Sequence, residues 1–107
     1  KVKNVVKGIA HITGGGMPGN IPRILPEGCS VRVDKDSWTP PPIFSLVRNL
    51  GQVPEKEMYR VFNMGIGMVL IVKDYYTDSI INMLREAGEG AGVIGEVIKG
   101  NRKVELV

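Results

Sequence analysis

A glycine loop between a histidine and an arginine holds most of the residues that could do chemistry. The segment reads HITGGGMPGNIPR, from His11 to Arg23, and contains three consecutive glycines. Glycine loses much conformational entropy on ordering, and a loop so poor in side chains exposes its backbone N–H groups. Such groups, where a chain enters a helix, bind anions such as phosphate. The candidate phosphate ligands are Thr13, Gly14, Gly15, Gly16, Asn20 and Arg23.

The same loop is also compatible with a tight strand-to-helix turn that binds nothing. In that interpretation Asn20 caps a short helix, and the glycines only let the chain reverse direction. The spacing of the residues leaves both interpretations open. It does exclude a P-loop, because no Gly-Lys-Ser/Thr follows the glycines.

A dinucleotide-binding pattern also occurs in this loop. Three glycines have the spacing G-x-G-x-x-G, and Asp34 follows at the position of a ribose-binding acid. That fold needs a long helix directly after the glycines. Pro18 interrupts the loop, and Pro26 leaves room for only about one and a half helical turns. We therefore reject the dinucleotide-binding interpretation of Gly14, Gly16 and Gly19.

Two further residues are candidates for a site. His11 is the sole histidine, and a histidine at a strand end either bonds to the backbone or moves a proton. Asn63 lies in FNMGIGM, where Gly65 and Gly67 indicate a close approach of two strands. The chain has no His/Cys cluster and its acidic residues are scattered, so we predict no metal site.

The elements that must position these residues predict an α+β fold, with layered helices on a mixed β-sheet. We predict strands over 5–13, 29–34, 65–73, 91–99 and 102–107, the last two forming a hairpin. Helices are predicted over 20–25, 42–50 and 74–87, and a further helix is predicted to begin at residue 54. The strand 65–73 is predicted to be buried, and Asp34 and Asp36 to flank a turn. The helix 42–50 is predicted to bury Ile43, Leu46, Val47 and Leu50. Assigned to packing are Trp38, Phe44, Met58, Phe62 and Met68.

Composition narrows the classes of function. A chain of 107 residues predicts one domain, and its net charge of +3 is dispersed over a sequence with few aromatic residues. These features do not favour a nucleic acid as partner. The chain also lacks an apolar run of about 20 residues, so a membrane is not favoured as partner either. Cys29 is the single cysteine, which excludes an intrachain disulfide and predicts a cytoplasmic protein. The first residue is Lys1, which suggests a fragment.

A series of motifs resembles the C-terminal part of the aminoimidazole ribonucleotide synthetases, also called phosphoribosylformylglycinamidine cyclo-ligases. The resemblance covers nearly the whole chain and implies that residues 1–107 are the later part of the C-terminal α/β domain. The N-terminal ATP-binding domain would then be absent from this chain. The motifs, in order, are AHITGGG, NIPR, LPEG, DKDSW, PPIF, EMYRVFNMGIGM and VIGEV.

The resemblance implies an activity in de novo purine biosynthesis. Members of this family use ATP to activate the amide oxygen of formylglycinamidine ribonucleotide, and an internal nitrogen closes the imidazole ring with release of ADP and phosphate. ATP and Mg²⁺ would be held mainly by the N-terminal domain, which would also form the homodimer contact. The glycine loop would be a wall of the active-site cleft, with Asn63 near it and His11 as the candidate catalytic residue.

Two alternatives remain at this point. Enzymes of the same architecture include formylglycinamidine synthetase, selenophosphate synthetase and thiamine-monophosphate kinase. Several of them have an acidic residue where His11 stands, so the HITGGG form favours the cyclo-ligase. A non-catalytic module that binds a small molecule is the other alternative.

Overall fold

A computed structural model describes residues 5–107, and the chain has the predicted α+β fold. Lys1 and the other residues before Val5 lie outside this range. The strands are β1 Val6–His11, β2 Cys29–Val33, β3 Met68–Val72, β4 Gly95–Lys99 and β5 Val104–Leu106. The α-helices are α1 Gly16–Asn20, α2 Pro42–Gly51, α3 Glu55–Val61 and α4 Thr77–Glu86. Short 3₁₀ helices cover Ile21–Ile24, Lys35–Ser37 and Asp74–Tyr76.

The strands form two sheets instead of the single mixed sheet that we expected. β1 pairs with β3 in an antiparallel ribbon. β2 lies between β4, which runs antiparallel to it, and β5, which runs parallel to it. Because β1 and β2 are in different sheets, the arrangement does not fit a dinucleotide fold, whose first two strands share one sheet.

The predicted hairpin of the last two strands is wrong. β4 and β5 both pair with β2 and not with each other. The reason is that their connection wraps around the start of β2: the N–H of Gly100 donates to the Gly28 carbonyl, and the N–H of Arg102 to the Cys29 carbonyl. The Ser30 hydroxyl accepts from the N–H of Lys103. These bonds carry the chain across to the other edge of β2.

The core lies between α1, α3 and the inner faces of both sheets. Trp38, Phe44 and Phe62 pack against it as predicted, and Met58 is buried. The packing role of Met68 is wrong, because this side chain is 58% exposed on the outer face of the β1–β3 ribbon. β3 as a whole is half-buried, so its prediction as a buried strand also fails. The largest fully buried side chains among residues 5–107 are those of Met17, Ile21, Leu25, Met58 and Val33.

Of the four α2 residues predicted to be buried, only Val47 packs against the core. Ile43, Leu46 and Leu50 are exposed, the last by 78%, whereas Phe44 and Val47 pack inward. Apolar residues thus occupy both the exposed side and the core-facing side of the helix, and periodicity alone did not distinguish the two sides. Within residues 5–107, no helix has the length and apolar character needed to cross a bilayer.

Candidate functional site

The glycine loop turns sharply from β1 into α1. The N–H of Gly16 donates to the Thr13 carbonyl at 3.0 Å, and Gly15 and Gly16 have left-handed φ angles of 99° and 63°. Glycine tolerates such angles, whereas other residues are strained there. Helix α1 therefore begins inside the glycines, at Gly16, and the predicted helix after Asn20 is a 3₁₀ continuation of it.

The glycines of the loop have different physical roles. A Cβ on Gly16 would lie only 2.0 Å from the Tyr59 carbonyl oxygen and 2.8 Å from that of Phe62, so this residue allows α1 to contact the end of α3. Gly14 has open space where a side chain would be. Among the described residues, the N–H groups of Gly14 and Gly15 have no acceptor. Gly14 is exposed and Gly15 half-buried, so these two N–H groups lie in a part of the loop that a ligand can reach.

Asn20 holds the loop together. Its side chain is buried, and Nδ2 lies within hydrogen-bond distance of the carbonyl oxygens of Gly16 (2.8 Å), Thr13 (3.2 Å) and Gly14 (3.3 Å). Its Oδ1 accepts from the Thr13 hydroxyl at 3.1 Å. The side chain caps no helix, contrary to the N-cap that we predicted, because its amide points back to the loop. The phosphate contacts of Asn20 and the Thr13 hydroxyl stay predictions; in this conformation both groups stabilise the loop.

The second small-residue cluster forms a turn beside the glycine loop. Asn63 Oδ1 accepts from the Gly65 N–H at 2.8 Å, and the Asn63 carbonyl accepts from the Ile66 N–H. The N–H of Ile12 donates to the Gly67 carbonyl at 2.9 Å, which joins the turn to the end of β1. The predicted close approach of two strands is wrong: Gly65 lies in the turn, and its Cβ position is 2.5 Å from Cδ of Pro41, the residue before helix α2.

The structure brings together most of the predicted site residues. His11 ends β1, is exposed, and stands opposite Met68 in the ribbon, so it lies at the border between the glycine loop and the turn that begins at Asn63. Arg23 is exposed on the 3₁₀ helix and makes no hydrogen bond or ion pair with a described residue. Its predicted phosphate contact stays a prediction.

One residue near the site was assigned only to packing. The indole N–H of Trp38 donates to the Met64 carbonyl at 3.0 Å. The signal available in the sequence is general: a partly buried tryptophan needs an acceptor for its N–H. The sequence could not indicate which carbonyl would supply it.

The N–H groups of Gly14 and Gly15, which have no acceptor among the described residues, are donors of the kind that an anion accepts from. In the part of the chain that the structure describes, no three His, Cys, Asp or Glu side chains come together in a group that could hold a metal ion.

Asp34 accepts from the Asp36 N–H at 2.9 Å and so flanks a turn, as predicted. Behind Gly16, burial raises the pKa of Tyr59, and the nearby charge of Glu55 raises it further.

Comparison with known proteins identifies the family. The whole chain, residues 1–107, matches the family model described as "AIR synthase related protein, C-terminal domain". The phosphoribosylformylglycinamidine cyclo-ligase of Caldanaerobacter subterraneus subsp. tengcongensis is 54% identical over 101 residues, which cover 94% of this chain and 30% of that protein. The protein of the same name from Geotalea uraniireducens is 50% identical over 105 residues, or 95% of this chain and 30% of the relative.

A third relative with this name, from Pseudothermotoga lettingae, is 48% identical over 99 residues, or 92% of this chain and 29% of the relative. The chain therefore spans less than a third of the length of the relatives that it matches. The match to the family model extends over every element described above. The chain belongs to the family of AIR synthase related proteins and matches their C-terminal domain.

Proposed function

We propose that this chain is part of an ATP-dependent cyclo-ligase that converts formylglycinamidine ribonucleotide to aminoimidazole ribonucleotide, ADP and phosphate in de novo purine biosynthesis. Relatives that share about half of its residues carry the name of that enzyme. The observation that carries the proposal is the pair of free N–H groups at Gly14 and Gly15, in a loop held open by Asn20. We propose that they bind the phosphate group of formylglycinamidine ribonucleotide, with a phosphate of the nucleotide as the alternative ligand.

In this proposal each residue of the site has a separate task. The loop N–H groups hold a phosphate without a change in their own positions, because Asn20 has already ordered the carbonyls of the loop. His11, exposed at the rim, accepts the proton that the internal nitrogen loses when the ring closes. Bound ATP supplies the phosphoryl group that activates the amide oxygen.

Within residues 5–107, no three His, Cys, Asp or Glu side chains form a group that could hold Mg²⁺. No step of ring closure in this proposal uses a metal ion held by these residues. We propose that Mg²⁺ and most of the ATP site come from the N-terminal domain of a full-length protein. That domain would also form the homodimer contact, and the enzyme would work in the cytoplasm.

The proposal is tested in a chimeric enzyme, in which these 107 residues replace the matching segment of the full-length Caldanaerobacter relative. ADP release is measured with and without formylglycinamidine ribonucleotide, together with the aminoimidazole product. We expect ADP release that depends on the substrate and equals the product formed. A chimeric enzyme that folds but releases no substrate-dependent ADP would contradict the proposed function.

The glycine loop is tested in the same enzyme by Gly14→Val. Gly14 has open space and no left-handed angle, so valine covers the N–H groups without strain. Gly15 is less suitable, because its φ of 99° would strain any side chain. We expect kcat/KM to fall by about 10²-fold, as when one preorganised donor is lost. Gly90→Val, at an equally open position outside the site, is the matched control. Unchanged activity of Gly14→Val would remove the loop from the site.

A further inference from the structure

The turn beside the glycine loop contains an unusual backbone. Met64 has a left-handed φ of 55°, and Gly65 follows with 93°. Met64 is also buried, with 7% of its surface exposed. Residues other than glycine, asparagine and aspartate seldom adopt a left-handed backbone conformation, so this conformation persists only where the surroundings impose it.

Two polar contacts impose this conformation. Asn63 Oδ1 accepts from the Gly65 N–H within the turn itself. From 26 residues away in sequence, the Trp38 indole N–H donates to the Met64 carbonyl at 3.0 Å. The Trp38 ring is itself fixed, because it packs edge-on against the buried Tyr59 with 6.5 Å between ring centroids.

The turn is coupled to the glycine loop at both of its ends. After the turn, the Gly67 carbonyl accepts from the N–H of Ile12, the residue that leads into the loop. Before the turn, the Phe62 and Tyr59 carbonyls lie against Gly16, where there is no room even for a methyl group. A displacement of the turn would therefore displace the loop, because a closely packed contact transmits movement.

We propose that Trp38 is a positioning residue of this site. By holding the Met64 carbonyl, its indole N–H fixes the turn from Asn63 to Gly67 and thereby the loop that binds the phosphate. Trp38 acts through Met64 and touches no reacting group. The inference rests on the proposed function, since it names a residue that supports the same site.

The test uses Trp38→Phe in the chimeric enzyme. Phenylalanine keeps an aromatic ring against Tyr59 but cannot donate to the Met64 carbonyl. Because the loop would be misplaced for binding, we expect KM for formylglycinamidine ribonucleotide to rise about tenfold, with kcat changed less than twofold. The assay temperature is kept well below the unfolding midpoint of each variant.

Phe44→Leu is the matched control. Phe44 packs edge-on against Phe62, so the variant also loses an aromatic contact near the turn, but it breaks no hydrogen bond to the site. We expect a lower unfolding midpoint with an unchanged KM. A KM of Trp38→Phe that equals that of Phe44→Leu would overturn the inference and leave the proposed function intact. An unsubstituted chimeric enzyme without substrate-dependent turnover would instead contradict the proposed function.

Discussion

Gly16→Ala is the substitution for which the structure gives the clearest magnitude. An alanine at φ 63° costs about 1–2 kcal/mol relative to a right-handed conformation. Its Cβ would also lie 2.0 Å from the Tyr59 carbonyl oxygen, a backbone atom that cannot rotate away. Relief of such overpacking costs about 1–3 kcal/mol. We therefore expect the free energy of unfolding to fall by about 2–5 kcal/mol.

The matched control is the same substitution three residues later. Gly19 is in α1, has open space at its Cβ position and has no left-handed angle. Alanine there should stabilise the chain by about 0.5–1 kcal/mol, because glycine is a poor helix residue. Urea unfolding of both variants, with the slope m unchanged, measures the difference. A Gly16→Ala chain as stable as Gly19→Ala would refute the close contact between α1 and α3.

Two further predictions concern the surroundings of the loop. Asn20→Ala removes the buried amide that bonds to the loop carbonyls, so urea unfolding should show a loss of about 1–3 kcal/mol. If Asn20→Ala unfolds at the same urea concentration as the parent chain, the amide does not hold the loop. Tyr59→Phe should change how stability depends on pH. Because burial raises the pKa of Tyr59 in the folded chain, the unfolded chain loses the phenolic proton at a lower pH. The parent therefore loses stability as the pH rises above 10.0, the ordinary pKa of tyrosine. The Phe variant lacks this contribution, so unfolding from pH 8 to 11 should show its stability rising relative to the parent; a pH-independent difference would contradict the raised pKa of Tyr59.

The types of the main elements could be predicted from local signals. The predictions for β1, β2 and α2 have nearly the observed limits, since alternation and a proline at the first helical turn are read within a few residues. The pairing of strands is not local information. That β2 separates β4 from β5 depends on backbone bonds from Gly100 and Arg102 to the start of β2, and no periodicity reports them.

The proximity of the candidate site residues was predictable, and their contacts were less so. The glycines and Asn63 stand out by composition, and they do lie side by side. The direction of the Asn20 amide depends instead on the fold of the preceding seven residues, so a residue type typical of helix caps supports a loop. The indole bond of Trp38 joins segments 26 residues apart and could not be inferred from either segment alone.

The most direct test of the central claim is to observe the loop N–H groups during binding. The chimeric enzyme is labelled with ¹⁵N-glycine and titrated with formylglycinamidine ribonucleotide, and Gly14 is assigned by the loss of its signal in Gly14→Val. Gly90 and Gly92, in the equally open chain after α4, serve as internal controls. Our account predicts that the Gly14 and Gly15 protons move downfield as they bond to phosphate, while the two controls stay in place. Saturation with substrate that leaves Gly14 and Gly15 unmoved would contradict it.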